Sequence, residues 1–546
     1  MTDLEYQPDL ILTNGVIYTL DSSRPVVDSV AVTGRKVTAA GSGREIRGEA
    51  RSGTEVLDLQ GRAVIPGMMD SHFHFYDWSI GRRQLDLSGV RSFEEISGLV
   101  RQEAGKQEPG SWIVGFGWNE SDWPVHRKPL RDDLDAAAPA NPVALWRCDL
   151  HLVSVNSPAL DAAGIVPSTP DPPEGVIEKD ASGRPTGILR ELAANLVKTA
   201  IPAPEGETLY GIMREGIVEL NSLGLTSLHD MRLMGGLEGA DALRMWQVLR
   251  ERGELNLRCW VGIAGEHIEE AIKLGLRTGL GDDRLRIGPL KFFADGGMGA
   301  RTGWLIEPYL DAEYGMPLAP MAHLSHAYRQ AEQAGMAVVV HAIGDRANRE
   351  LVDLLQELDQ WPERRGNFIP PAISHRIEHA QMIRPDDVLR LAALGIPVCM
   401  QPHNMILDIN MIDESVGDRG RFTYPFKEML DAGVLVLFGS DAPVCAANPF
   451  VNIHAAVTRR RADGTPAGGW YPRQCLSVEE ALRCYTVSPA EYYRRENVLG
   501  TITPGKFADI VVLDRDIFTV DPMDIIDTKV EMTIFDGRIV YRRGKV

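Results

Sequence analysis

Between residues 64 and 438 this sequence repeats one pattern, a short apolar run followed by a longer stretch with helical spacing. The runs cover residues 64–69, 225–228, 255–263, 285–293, 337–340, 372–377, 396–400 and 434–438. Largely apolar runs this short suit strands covered on both faces, and such strands belong to parallel sheets overlaid by helices. Residues 237–252, 324–334, 349–358 and 385–393 supply helices between them. Eight such strands in alternation with helices predict an α/β fold, a (β/α)8 TIM barrel rather than an open sheet.

The two ends of the chain read differently. Residues 9–20, 508–514 and 532–541 are rich in β-branched and apolar residues, with turn signals at Asn14-Gly15 and Asp536-Gly537. Neither end is large enough for a core of its own. Residues 1–63 and 497–546 are therefore expected to form one small β-sandwich, and residues 64–496 the barrel. A long insertion, about residues 78–200, interrupts the barrel after its first strand and carries strand-like runs at 112–118 and 143–146. It holds five of the ten tryptophans: Trp78, Trp112, Trp118, Trp123 and Trp146. Most of these should fill a subdomain core, with one or two facing a pocket for an apolar or aromatic substrate.

Charge and cysteine usage narrow the partners. The 57 lysines and arginines stand against 76 acidic residues, a net charge of −19. Such a surface speaks against nucleic acid, and the run Arg459–Arg461 reads as a solvated helix face. The six cysteines show no CxxC spacing and no disulfide framework. The first residues lack a basic segment followed by an apolar one, and no apolar stretch is long enough to span a membrane. A cytoplasmic protein with a small-molecule substrate and no membrane partner is expected, and a homo-oligomer is compatible with the chain.

The chemistry gathers at strand ends. In a barrel of this kind the active site lies at the C-terminal ends of the strands. After the first run come His72 and His74, two apart, so that on an extended strand both imidazoles face one point and can grip a divalent cation. Lys291 lies inside the fourth run. His341 follows the fifth, His379 the sixth and Asp441 the eighth. Taken singly, each has an ordinary explanation. Lys291 could pair with Asp295, His341 could bond a carbonyl, His375 could take the place of His379, and Asp441 could cap a turn. Together they form one ligand-type set at five strand ends.

That ordered set resembles the amidohydrolase superfamily of metal-dependent hydrolases. Residues 64–74, 433–441, 476–482 and 500–514 are also similar to it. Residues 291–302, 341–348 and 375–381 resemble the YtcJ-like branch, which includes N-substituted formamide deformylases. The resemblance implies a barrel with a sandwich built from both termini. It also implies that His72 and His74 bind one divalent metal, with zinc the expected ion. Lys291, if carboxylated to N6-carboxylysine, would bridge that metal to a second one held by His341 and His379. If Lys291 stays unmodified, a one-metal site remains. Asp441 would complete the first shell and act as the catalytic proton carrier.

The implied reaction is hydrolysis of a C–N bond in a small N-substituted amide or formamide. His151, Arg301 and His403 are candidate substrate contacts, and Glu191 and Asp230 are weaker ones. Two other readings stand beside it. A deaminase, or a cyclic-amide or urea hydrolase, is the first. Deaminases of the superfamily usually carry an acidic residue three positions after the strand-five histidine, where this chain has Gly344, with Asp345 next. The second is a non-catalytic regulatory barrel, which should lack a ligand; none of the set is missing.

Overall fold

The computed structural model describes residues 7–233, 238–360 and 370–544. The N-terminal hexapeptide, on which the reading of a missing leader rests, lies outside them, as does Leu237, where a helix was expected to begin. Eight parallel strands form the barrel sheet. They are β1 (Met68–Phe73), β2 (Leu225–Asp230), β3 (Arg258–Ala264), β4 (Leu285–Phe293), β5 (Val338–Ala342), β6 (Arg376–His379), β7 (Val398–Met400) and β8 (Val436–Phe438). Neighbours pair in sequence order from β1 to β8. The seam is closed past the end of β8, where Asp441 N–H donates to the His72 carbonyl (2.8 Å) and His74 N–H to that of Ala442 (2.9 Å). The buried Asp70 carboxylate pins the same seam by accepting from the Ser440 and His72 amides, each at 3.1 Å.

The helices cover this sheet for the reason their spacing gives. In the helix Asp345–Asp359 the buried residues include Ala347, Leu351, Leu354, Leu355 and Leu358, one stripe at helical spacing. The first apolar run behaves differently from its reading as a single strand. It divides at Gly67, where a Cβ would meet Thr226 Oγ1 at 2.3 Å. Ala63–Pro66 before that point pairs with Val16–Tyr18 and Ile510–Leu513 instead of entering the barrel.

This pairing builds the β-sandwich. One of its sheets holds Lys36–Gly41, Ser29–Thr33, Leu10–Thr13 and Glu55–Asp58. The other interleaves both termini, with Arg538–Arg542, Val530–Phe535 and Ile510–Leu513 beside Ala63–Pro66, Val16–Tyr18 and Val26–Val27. Val64, Ile510 and Val512 face the first sheet, whereas Ile65, Val511 and Leu513 face the barrel. With both faces covered, these strands read as continuous apolar runs rather than as alternation.

The insertion folds as a third layer with its own six-stranded sheet. The sheet runs Gly175–Lys179, Pro185–Glu191, Leu152–Val155, Val143–Arg147, Ile113–Trp118 and Leu85–Asp86. Trp118 and Trp123 are buried in its core, and their indole N–H groups donate to the Leu145 and Val90 carbonyls. Trp78 is buried against Phe73 and Phe75 at the top of β1. Trp146 alone of the five lines the cavity over the barrel mouth. Among the described residues no helix is long and apolar enough to cross a membrane.

Candidate metal centre

His72 and His74 leave the end of β1 on one side of the strand, as their spacing predicts. Both imidazoles reach the same carboxylate oxygen. His74 Nε2 lies 3.1 Å and His72 Nε2 3.3 Å from Asp441 Oδ1. His72, His379 and Asp441 each bring one ligand atom into a cluster no more than 4.8 Å across. The His379 ring lies 4.8 Å from that of His72 and 4.6 Å from that of His341. Lys291 rises beside them from β4, 2% exposed, its ammonium 4.8 Å from the centre of the Phe293 ring. All six residues line a single cavity of about 430 Å³.

Several backbones here are held in unusual conformations. Asp441 (φ +59°) and His379 (φ +70°) both occupy the left-handed region. Such strain persists only where surroundings enforce it, and it clusters at functional sites. Gly439 serves the same end. A Cβ there would stand 2.5 Å from His72 N and 2.7 Å from His72 Cβ, so only glycine lets strand eight approach His72 this closely.

The electrostatics favour neutral imidazoles at His74, His341 and His379 and a positive charge at His72. Burial pushes His379 down to about 3 and His341 well below the ordinary imidazole range. Burial also lowers His74. For His72 burial is outweighed by the Asp441 and Glu378 carboxylates, which raise it and so favour a cation at that ring. Burial lowers the Lys291 ammonium to about 8, against the pull of Glu378 and Asp441. Neutral imidazoles and an ionised carboxylate are the protonation states a metal needs. His72 Nε2 is buried with no partner among the described residues but the long 3.3 Å approach of Asp441 Oδ1. A buried nitrogen so poorly satisfied is costly in a protein that holds nothing there. The donor set fits a divalent ion.

Two supporting residues escaped the sequence reading. Glu378, fully buried on β6, holds His72 Nδ1 at 2.6 Å with Oε2 and accepts from Arg376 Nε at 2.7 Å with Oε1. Gln401 Oε1 accepts from His379 Nδ1 at 2.8 Å. Each fixes one ring nitrogen so that Nε2 is presented to the site. The available signal was a carboxylate inside a strand expected to be buried, since such a group demands partners.

The predicted substrate contacts separate. His151, from the insertion, lines the cavity with its ring 5.3 Å from that of His341. Its Nδ1 is held at 2.7 Å by Glu191 Oε2. Burial opposes the charge on His151, but Glu191, Asp149 and Asp441 raise it to about 9. Glu191 itself adopts φ +50° and also accepts from Thr302 Oγ1. Arg301 is turned away, its guanidinium bonded to Asp311 at 2.8 Å and to the Met298 carbonyl at 2.9 Å. His403 lies half-buried in the first turn of the helix Pro402–Val416, near His454, and does not line the cavity. The Asp230 carboxylate accepts from Phe75 N and Trp246 Nε1, a structural role.

Contacts bear on the alternatives for strand residues, and for His341 they include the carbonyl bond, with Nε2 3.3 Å from the Gly296 oxygen. His375 accepts from Val338 N and bonds Glu332, away from the cavity. Asp295 accepts from the amides of Ile343, Gly344 and Trp304 rather than pairing with Lys291. Asp345 is engaged by Arg384 at 2.7 Å and the Ile306 amide at 2.8 Å.

A closed parallel barrel with histidines, a lysine and an aspartate at its strand ends, joined to a sandwich of both termini, defines the amidohydrolase class of hydrolases. A sequence profile of the Amidohydrolase family matches residues 55–541. The chain is 31% identical to YtcJ of Bacillus subtilis (strain 168), over 97% of this chain and 99% of that one. It is 27% identical to the N-substituted formamide deformylase of Arthrobacter pascens, over 98% of both chains. An uncharacterized metal-dependent hydrolase from Pyrococcus horikoshii OT3 superposes with a TM-score of 0.73 at 27% identity, over 94% of this chain and 99% of that one. The chain belongs to the amidohydrolase superfamily, in its YtcJ-like branch, and is a hydrolase of carbon–nitrogen bonds.

Proposed function

We propose that this protein cleaves the C–N bond of a small N-substituted amide or formamide at a divalent metal centre. The observation that carries the reading is the convergence of His72, His74, His379 and Asp441 on one buried point, where Asp441 Oδ1 stands 3.3 Å from His72 Nε2 and 3.1 Å from His74 Nε2. His72, His74 and Asp441 would hold one ion, and His341 and His379 a second, with Lys291 between them. The imidazole and carboxylate donors suit zinc. When bound, such an ion acts as a Lewis acid and brings the pKa of its water down to about 7.

The chain's own residues do the rest. Asp441 receives the proton of the attacking water and returns it to the departing amine nitrogen, as a general base and then a general acid. His151, anchored at Nδ1 by Glu191, offers its Nε2–H across the cavity to the substrate carbonyl oxygen. A fixed donor of this kind stabilises charge as it develops on that oxygen. Lys291 as an ammonium would put one more cation among the metal ligands. Addition of its amine nitrogen to carbon dioxide, with loss of a proton, gives a carbamate anion that suits the position. Phe116, Phe293 and Trp146 wall the cavity and exclude water around an apolar substituent.

Deamination is disfavoured because the Asp345 carboxylate is committed to Arg384 and Ile306 outside the cavity. Six unpaired cysteines suit a reducing, cytoplasmic setting. A screen of N-alkylformamides, N-acyl amines, ureas and cyclic amides, read by amine release, tests the reading. Turnover of an open-chain amide, lost in Asp441→Asn, is expected. Turnover confined to ureas, cyclic amides or aminated rings would overturn it.

A further inference from the structure

Beside the metal cavity lies a second depression, about 520 Å³, that opens toward solvent. The two adjoin, with Gln84, Val114, Ile201 and Pro202 in the lining of both. The strand Ile113–Trp118 of the insertion runs from one to the other. On its inner face Ile113 and Gly115 are buried, while Trp112, Val114 and Phe116 on the outer face are half-buried. That is the alternation of a strand with one face packed and the other left for a ligand. Phe116 stands in register with Trp146 on the neighbouring strand, and both line the metal cavity. Trp112 lines only the outer groove.

These residues make an apolar strip along one wall of a groove whose remaining lining includes the polar Arg83, Gln84, Glu103, Gln107 and Ser111. From Trp112 to Phe116 the strip is about 13 Å long at strand spacing. Ile201 and Pro202 form the groove's other side. Trp112, Trp146 and Ile201 pack against one small core of the insertion, so the strip is built on a rigid element. The charges at its rim are already matched, Arg83 to Glu215 at 3.0 Å and Glu103 to Lys106 at 2.9 Å. A charged ligand group would have to break those pairs, whereas an apolar chain would not.

We propose that the substrate of this enzyme carries an extended apolar chain on its amide, and that this groove holds the chain. The inference rests on the hydrolase reading and names its substrate class. An extended chain advances about 3.5 Å per three bonds, so roughly eleven bonds reach from the cavity wall at Phe116 to Trp112. The chain belongs either to the acyl group or to the nitrogen substituent, and substrates distinguish the two.

Two series test the proposal, N-alkylformamides and N-methylalkanamides, each from one to twelve carbons in the variable chain. In one of them kcat/KM should rise about two- to fourfold per added methylene, the transfer value of a buried CH₂, and level off near ten carbons. Trp112→Ala should cut kcat/KM for the decyl member about tenfold and leave the methyl member unchanged, with Trp112→Phe restoring most of the loss. Kcat/KM flat with length in both series, alongside turnover of short amides, overturns the proposal and leaves the hydrolase reading standing. Calorimetric binding of decylamine and of decanoate needs no turnover. One of them should bind the native protein at least tenfold more tightly than Trp112→Ala, and equal binding overturns the proposal even if no amide is hydrolysed.

Discussion

Replacing Glu378 with glutamine removes one charge from the centre of the barrel and changes almost nothing in volume. The native carboxylate sits between His72 Nδ1 at 2.6 Å and Arg376 Nε at 2.7 Å, and neither it nor Arg376 is exposed. Two losses follow. The Arg376 guanidinium keeps hydrogen bonds to the Ser71 carbonyl and to His229 but loses its counter-charge. Breaking one side of a buried pair costs about 3–5 kcal/mol, and the retained amide oxygen should hold the loss to the lower end. The second loss falls on the metal. Without the carboxylate His72 is a weaker base and its tautomer is less firmly set, an effect worth about 10- to 100-fold in metal affinity, or roughly 1.4–2.7 kcal/mol. The assay is a competition titration of apo-protein against a chromophoric chelator, with a thermal melt of the same samples. Asp509→Asn is the control, because it strips the Arg258 guanidinium of a carboxylate 2.8 Å away without touching the site. Glu378→Gln should lose both affinity and melting temperature, and Asp509→Asn melting temperature alone. A folded Glu378→Gln protein with native metal affinity would refute the reasoning.

Glu191→Gln and His151→Gln should each lower kcat about 10²- to 10³-fold with metal content unchanged, measured by steady-state kinetics beside elemental analysis. Gly439→Ala should weaken metal binding as much as Glu378→Gln, since the added methyl must displace His72; chelator competition reads this directly. Asp536, clasped by Arg258, Arg284 and Arg35, joins the sandwich to the barrel. Burial pushes its carboxyl up, but the three guanidinium groups outweigh burial and hold it below the ordinary value. Its contribution to stability is therefore complete above the unfolded value of about 4 and is lost as pH falls through the lower folded value. Asp536→Asn should lower the melting temperature at pH 7 and flatten the acid limb below pH about 4 in a pH series of melts.

The barrel was legible because its strands are covered on both faces and so appear as eight short, largely apolar runs. The ligand set was legible for a related reason, since each polar residue interrupts or ends such a run. Gly67 shows where that signal fails. Ala63–Pro66 and Met68–Phe73 are both buried on two faces, one in the sandwich and one in the barrel, and periodicity cannot divide them. Arg301 and His403 fail in another way. Both sit in loops or helix starts near the site in sequence, but where a side chain points depends on contacts that the strand pattern does not carry, such as the turn of Arg301 onto Asp311. Glu378 showed in the sequence only as a carboxylate inside a buried strand, and Gln401 not at all, because their role is defined by which imidazole nitrogen they touch.

The central claim is that six residues at five strand ends hold metal. Elemental analysis of the native protein, purified without chelators after growth in zinc-supplemented medium, tests it most directly. One equivalent of divalent metal per chain is the minimum the account predicts, two equivalents if Lys291 is carboxylated, and a loss of most of that metal in His72→Ala. Less than a tenth of an equivalent in the native protein, or an unchanged content in His72→Ala, would contradict it.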